Sequence, residues 1–136
     1  MATRKTKDAP AETGPHAYNY AWEKMFIALT CLTEGTGSIQ ERVLDAVMGA
    51  HTVLGESKLA HDFPPEARPH VRAIYRAMTS TRAQGSEGTF AASARTMSDA
   101  EAVEVARLIR QVYFCVQHAS GVHEWIGQEI EELGTD

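Results

Sequence analysis

The sequence of 136 residues lacks the features that mark several large classes of protein. No uninterrupted apolar run approaches the ~20 residues that a membrane-spanning helix needs. The first sixteen residues are rich in basic side chains but have no apolar stretch of the kind that a secretory signal contains. We therefore expect a cytoplasmic protein that has no membrane partner.

Cysteine is also scarce, with Cys31 and Cys115 as the two examples. Both lie among apolar residues of predicted helices, where a cysteine in a reducing compartment usually behaves as a small buried side chain. Cys115, His118 and His123 lie within nine residues of one another, but the chain has no CxxC, HExxH or ExxH pattern. A disulfide or a metal pair stays open as an alternative; we expect no metal and no cofactor.

No group of residues nominates a catalytic site. Gly35-Thr36-Gly37 is too short for a phosphate-binding loop and follows a predicted helix rather than a strand. No serine or cysteine has the sequence surroundings of a nucleophile. We do not expect an enzyme, although a perturbed acid or base in a cleft is something that a sequence does not reveal.

Clustered positive charge, which binding to a phosphate backbone requires, is missing as well. The formal net charge is −5, and no lysine or arginine follows Arg110. Arg4, Lys5 and Lys7 make only the N-terminus basic. We therefore expect no nucleic-acid partner.

The chain does have the residue spacing of amphipathic helices. The clearest stretch runs from Ser98 to Ser120, where Ser98 and Glu101 form a capping-box pattern and apolar residues recur every three or four positions. The other predicted helices are Ala17–Glu34, a helix that Ser38 begins and Gly55 ends, Pro69–Thr81 after a turn over Pro64–Arg68, and a last helix over Val122–Leu133. Residues 83–97 are predicted to be a long connection.

These elements predict one fold class and a simple domain organisation. Residues 1–16 are predicted to be a flexible tail, and residues 17–136 a single helical domain. The fold is predicted to be all-α, an antiparallel four-helix-type bundle with a short C-terminal helix.

Aromatic residues are concentrated in the first predicted helix, which contains Tyr18, Tyr20, Trp22 and Phe26. Aromatic side chains bury more area than any others, so the pattern predicts that these four form the heart of the core. The alternative interpretation is an aromatic anchor at an interface.

An arginine row is the first candidate for partner binding. Arg68, Arg72 and Arg76 are spaced by four residues and share one helix face, where they repel each other unless acidic groups lie opposite. One interpretation is a solvated face, or a face that pairs with the acidic C-terminus of the same or another subunit. The other is a site for a small anionic ligand or partner, because arginine recognises carboxylates and phosphates with two hydrogen bonds.

The last predicted helix is the second candidate for partner binding, through Trp125, Ile126 and Ile130. It follows Gly121, so it can fold back or reach across to a neighbouring subunit. A polar network on the second helix is a further possible site, and its residues are Glu41, Arg42 and Asp45. Arg42 and Asp45 are spaced closely enough to pair on the helix surface.

Four short motifs occur in a fixed order along the chain. They are Trp22-x-Lys24, Ser38-Ile39-Gln40-Glu41-Arg42, Asp62-Phe63-Pro64 and Met97-Ser98-Asp99-Ala100-Glu101-Ala102. This order resembles that of small uncharacterised bacterial helical proteins, and the resemblance covers about residues 20–116. It implies a bacterial or phage-borne cytoplasmic helical domain and brings no activity with it. The chain departs from the pattern in its acidic terminal helix and its long N-terminal tail.

These observations lead to two hypotheses about function. The first is a non-enzymatic protein-interaction or regulatory module that works as a homodimer or as a subunit of a larger complex. The alternative is a helical bundle that binds a small molecule or a metal near Cys115, His118 and the arginine row.

Overall fold

A computed structural model describes residues 18–120 of the chain. Within that range the chain forms helices and no strand, which confirms the all-α bundle. The helices are α1 (Asn19–Glu34), α2 (Ile39–Gly49), α3 (Glu56–Asp62), α4 (Arg68–Met78), α5 (Thr89–Thr96) and α6 (Asp99–Ser120). The predicted tail and the predicted last helix lie outside the described residues. None of the helices of residues 18–120 has the length and apolar character to cross a membrane.

The longest helix, α6, is central to the bundle and packs against α1, α2 and α4. Its capping box is confirmed: the Glu101 N–H donates to Ser98 Oγ at 3.1 Å, and the Ser98 N–H donates to Glu101 Oε1 at 3.1 Å. Its predicted apolar stripe is also confirmed, since the buried side chains are those of Ala102, Val105, Ile109, Val112, Val116 and Ser120.

Helices α1 and α2 form an antiparallel pair. Tyr20 near the start of α1 hydrogen-bonds Thr52 beyond the end of α2, through oxygens 3.0 Å apart. At the other end, Arg42 Nη1 donates to the Leu32 carbonyl at 3.0 Å. Gly37 makes the reversal between the helices with a φ of 97°, a conformation that residues with a Cβ rarely adopt.

The starts of α2 and α6 lie side by side. Gln40 Nε2 donates to Asp99 Oδ1 at 2.8 Å and to the Met97 carbonyl at 3.1 Å. The start of α6 is therefore near the end of α1, and the ring of Tyr113, late in α6, lies 6.3 Å from that of Trp22, early in α1, so α6 is antiparallel to α1 as well. The end of α6 therefore lies beside the start of α1, and this geometry positions the surface described below.

The structure corrects several predicted boundaries. Helix α2 ends at Gly49 and not at Gly55, and the turns that follow still bury Val53 and Leu54. Two helices were not predicted, α3 in a polar stretch and α5 inside the predicted long connection. Helix α5 buries Ala92, Ser93 and Ala94, whose small side chains give a weak apolar signal.

The capping box of α6 makes stability depend on pH. The Ser98 N–H, and then the Ser98 hydroxyl, hold the pKa of Glu101 below its usual value. A carboxyl whose pKa is lowered by folding stabilises the fold above its unfolded-state pKa, and that contribution is lost as the pH falls through its folded-state pKa.

We therefore expect Glu101→Gln, which keeps an acceptor but removes the charge, to be less stable than wild type near neutral pH. The difference should shrink as the pH falls from about 6 to about 3. Urea unfolding followed by circular dichroism measures it. Glu23→Gln removes an exposed α1 carboxylate as the matched control, and a difference for Glu101→Gln that does not change with pH would contradict the assignment.

Candidate interaction surface

The structure places the aromatic residues of α1 outside the core. The buried residues of this helix are Ala21, Met25, Ala28 and Leu32. Tyr20 and Phe26 are 49% and 48% exposed, and Tyr18 and Trp22 are partly buried at the edge of the core. The prediction that the four aromatics form the heart of the core was wrong, because the buried stripe of α1 is narrow and consists of two alanines, a methionine and a leucine.

Four aromatic side chains of α1 and α6 instead form one contiguous surface, which we call the aromatic face. Its members are Trp22, Phe26, Tyr113 and Phe114. Trp22 and Phe26 stack with ring centroids 5.5 Å apart, and Tyr113 lies 6.3 Å from Trp22 and 6.4 Å from Phe26. Phe114 meets Tyr113 edge to face at 5.7 Å and is 50% exposed. These separations are typical of favourable aromatic pairs, so the rings hold each other in place.

Two polar groups accompany the aromatic face. The guanidinium of Arg110 lies 5.5 Å from the centroid of the Phe114 ring, a cation–π arrangement. Trp22 Nε1 is buried and has no hydrogen-bond partner among residues 18–120. A buried donor without an acceptor costs about 1–3 kcal/mol, so such donors usually have a partner. The face therefore combines exposed apolar area, a cation and an unsatisfied donor.

The predicted arginine row is divided by the structure, and Arg68 has a structural task. Arg68 Nε donates to the Phe63 carbonyl at 3.1 Å, and Arg68 Nη2 donates to the Ala60 carbonyl at 3.0 Å. These carbonyls belong to the end of α3, where a helix leaves acceptors without intrahelical partners. Arg68 therefore ties α3 to α4.

The other two arginines lie along a groove beside α4. Arg72 pairs with Glu56 at 3.2 Å, and both side chains are largely exposed. Arg76 has no ion pair among the described residues. This groove has a volume of ≈ 280 Å³. We call it the α4 groove; its lining is Leu54, Glu56, Leu59, Arg72, Tyr75, Arg76 and Thr79.

A groove of ≈ 380 Å³ lies between α2 and α5. Its walls include the apolar side chains of Leu44, Ala94 and Met97, and Arg95 lies at its edge. Arg95 Nε is 2.8 Å from Glu87 Oε1, and this hydrogen bond lowers the pKa of Glu87. Glu87 therefore already neutralises Arg95, the arginine of this groove.

The predicted polar network on α2 does not form as expected. Glu41 completes the Ser38 cap, since its N–H donates to Ser38 Oγ at 3.1 Å. Arg42 lies against the end of α1 and donates to Leu32 rather than to Asp45. The residues that the structure describes contain no Arg42–Asp45 ion pair, because the Arg42 guanidinium reaches a helix end that needs a donor.

The possible metal ligands are not brought together within residues 18–120, where no three such residues cluster. Burial, and to a smaller extent the negative charge of Glu66, raises the pKa of the Cys115 thiol. This disfavours the thiolate that a metal would need. His123, Trp125, Ile126 and Ile130 lie outside the described residues.

Comparison of the chain with protein-family models, with curated proteins and with solved structures finds no match. The resemblance to small bacterial helical proteins stays a prediction.

Two contributors to these sites were not predicted. Phe114 lies off the apolar stripe of α6, and a large aromatic residue in that position is the signal that could have revealed an interaction surface. Gln40 belongs to the Ile-Gln-Glu-Arg motif, but its contact with Asp99 joins residues distant in sequence. No local pattern reveals such a contact.

The different tasks of Arg68 and Arg76 give a matched pair of substitutions on one helix. We expect Arg68→Ala to lower the free energy of unfolding by about 2 kcal/mol, because two carbonyls lose a charged donor. Arg76→Ala should change it by less than about 0.5 kcal/mol, as is usual for an exposed side chain. Urea unfolding checks both, and equal effects would show that Arg68 is not the tie between α3 and α4.

Proposed function

We propose that the chain is a non-enzymatic protein-interaction module that binds a second copy of itself through the aromatic face. The observation that supports this most directly is that Phe26 and Phe114 are half exposed within one contiguous aromatic cluster. Aromatic side chains are enriched at the centres of protein interfaces. A cluster of rings that already contact each other is also ordered before binding, which lowers the entropy lost on association.

The composition of the aromatic face favours a like surface as its partner. It lies on two adjacent helices, so a twofold axis would bring four helices together in a bundle, the usual geometry of a closed homodimer. The Arg110 guanidinium already lies over the Phe114 ring in a cation–π contact. Aromatic rings of a second copy can contact the same guanidinium, and they bring no carboxylate that would be buried without a partner.

We expect the double variant Phe26→Ser, Phe114→Ser to weaken self-association by at least about a hundredfold. Each dimer loses four half-exposed rings, and burying each of these contributes about 1 kcal/mol. Sedimentation velocity over a concentration series measures the Kd.

Met48→Ser is the matched control, because Met48 is 52% exposed on α2 and lies outside the aromatic face. It should leave the Kd unchanged. Circular dichroism checks that each variant is folded. A full chain that stays monomeric at millimolar concentration, or an association that the double variant does not weaken, would disprove the proposal.

The α4 groove favours the alternative function, a bundle that binds a small molecule. Its volume is just below the ~300 Å³ at which ligand pockets usually begin, and its lining combines apolar walls with the cation of Arg76. Glu56 already neutralises Arg72, so the groove offers one cation to an anionic ligand.

Native mass spectrometry of the protein as purified tests this alternative. A ligand held in the α4 groove should add mass to the wild-type chain and be lost from Arg76→Ala, while Arg107→Ala on α6 should retain it. The bare mass of the chain in every sample would count against the alternative and would leave the interaction module as the one function supported.

A further inference from the structure

We infer that the chain's own C-terminal segment, residues 122–133, docks on the aromatic face and competes there with the second copy. The competition rests on the proposed function; docking of the segment does not.

The first argument is position. Helix α6 is antiparallel to α1, and Trp22 lies in the first turn of α1, while Tyr113 and Phe114 lie in the last two turns of α6. The aromatic face is therefore at the end of the bundle where the chain leaves α6 after Ser120. The segment begins two residues further on, so it starts beside the surface that it is inferred to cover.

The second argument is that the segment has the anchors that an apolar face requires. Its large apolar residues are separated by three or four positions, except for one adjacent pair, and they are Val122, Trp125, Ile126, Ile130 and Leu133. On a helix this spacing gives one apolar stripe. The N-terminal residues are joined to α1 at the same end of the bundle, but between Ala2 and Ala17 they include no large apolar side chain. The C-terminal segment is therefore the better occupant.

The third argument is charge. Residues 121–136 contain five carboxylates and no lysine or arginine, so they account for the whole net charge of −5, and the rest of the chain is formally neutral. Arg110, at the edge of the aromatic face, has no ion pair with any residue of the described range. An acidic amphipathic segment would bring carboxylates to this cation while its apolar residues cover the rings.

The fourth argument is the unsatisfied donor. Trp22 Nε1 is shielded from solvent, and residues 18–120 supply no acceptor for it. A segment rich in glutamate that lies across Trp22 offers carboxylate and backbone oxygens at this position.

The segment should dock on the aromatic face of its own chain rather than on that of a second copy, because its effective concentration is higher within one chain. A segment joined directly to its site experiences millimolar effective concentrations, which exceed the concentration of a second copy in most samples. Dimer formation requires an uncovered face on both copies, so the observed Kd rises as the inverse square of the uncovered fraction.

Tryptophan fluorescence tests docking independently of dimer formation. The chain has two tryptophans, so Trp22→Phe leaves Trp125 as the one reporter and keeps the face apolar. We expect its emission to be blue-shifted relative to the urea-unfolded variant and to be independent of protein concentration.

Adding Phe114→Ser should shift this emission to the red, and adding Met48→Ser should not. The inference would be overturned if Trp125 emitted at the wavelength of the unfolded chain, or if Phe114→Ser did not change the emission wavelength. A blue shift that develops only as protein concentration rises would also overturn it, because the segment would then be held by another molecule. Circular dichroism verifies that each variant is folded.

Sedimentation velocity tests the competition. The double variant Trp125→Ser, Ile126→Ser should lower the Kd of self-association, by about a hundredfold if the face is covered in nine molecules of ten, because both copies must be uncovered. Gln128→Ser, in the same segment, is the matched control and should not change the Kd.

Weaker association of the double variant would overturn docking within one chain and assign the segment to the second copy. An unchanged Kd would overturn the competition. If no variant associates, the proposed homodimer fails, and the Trp125 emission still decides whether the segment docks.

Discussion

The aromatic face is exposed because the buried stripe of α1 is narrow. Ala21, Met25, Ala28 and Leu32 face the core, and two of these four are alanines. Small residues let helices pack closely, but they leave no space for rings between the helices. Trp22 and Phe26, on the flank of the helix, are therefore directed to the margin beside α6, where Tyr113 and Phe114 complete the aromatic face. The exposed cluster is a consequence of close packing within the core.

Side chains that reach backbone carbonyls fix the relative positions of the helices. Arg68 binds the end of α3, Arg42 binds the end of α1, and Gln40 joins the start of α2 to Met97. In each case a donor satisfies an acceptor that regular helix geometry leaves without a partner. The Arg42 and Gln40 contacts bring the end of α1 near the start of α6, and the Trp22–Tyr113 ring pair brings the start of α1 near the end of α6, so the two helices are antiparallel and the aromatic face lies where the chain leaves α6.

The sequence was sufficient to predict the all-α class, the long α6 with its capping box and the start of α2, because periodicity and capping are local properties. It was not sufficient for α5, whose buried residues are small, or for the end of α2, where Val53 and Leu54 are buried in turns. The tasks of Arg42 and Arg68 depend on which helix end lies opposite, and this is a tertiary property. The position of Phe26 also depends on the neighbouring helix, so a high intrinsic burial per aromatic ring led to the wrong prediction.

The distribution of charge and the aromatic face both affect the equilibrium between the single chain with a covered face and the self-associated state. Two copies whose acidic segments are free carry like charges near their interface, and this repulsion opposes association. Within one copy the same carboxylates are attracted to Arg110, which favours a covered face. Both electrostatic effects weaken as salt screens charges beyond about 8 Å at physiological ionic strength, whereas the burial of the rings does not. Higher ionic strength therefore shifts the equilibrium toward the associated state, because both of these electrostatic effects favour the single chain.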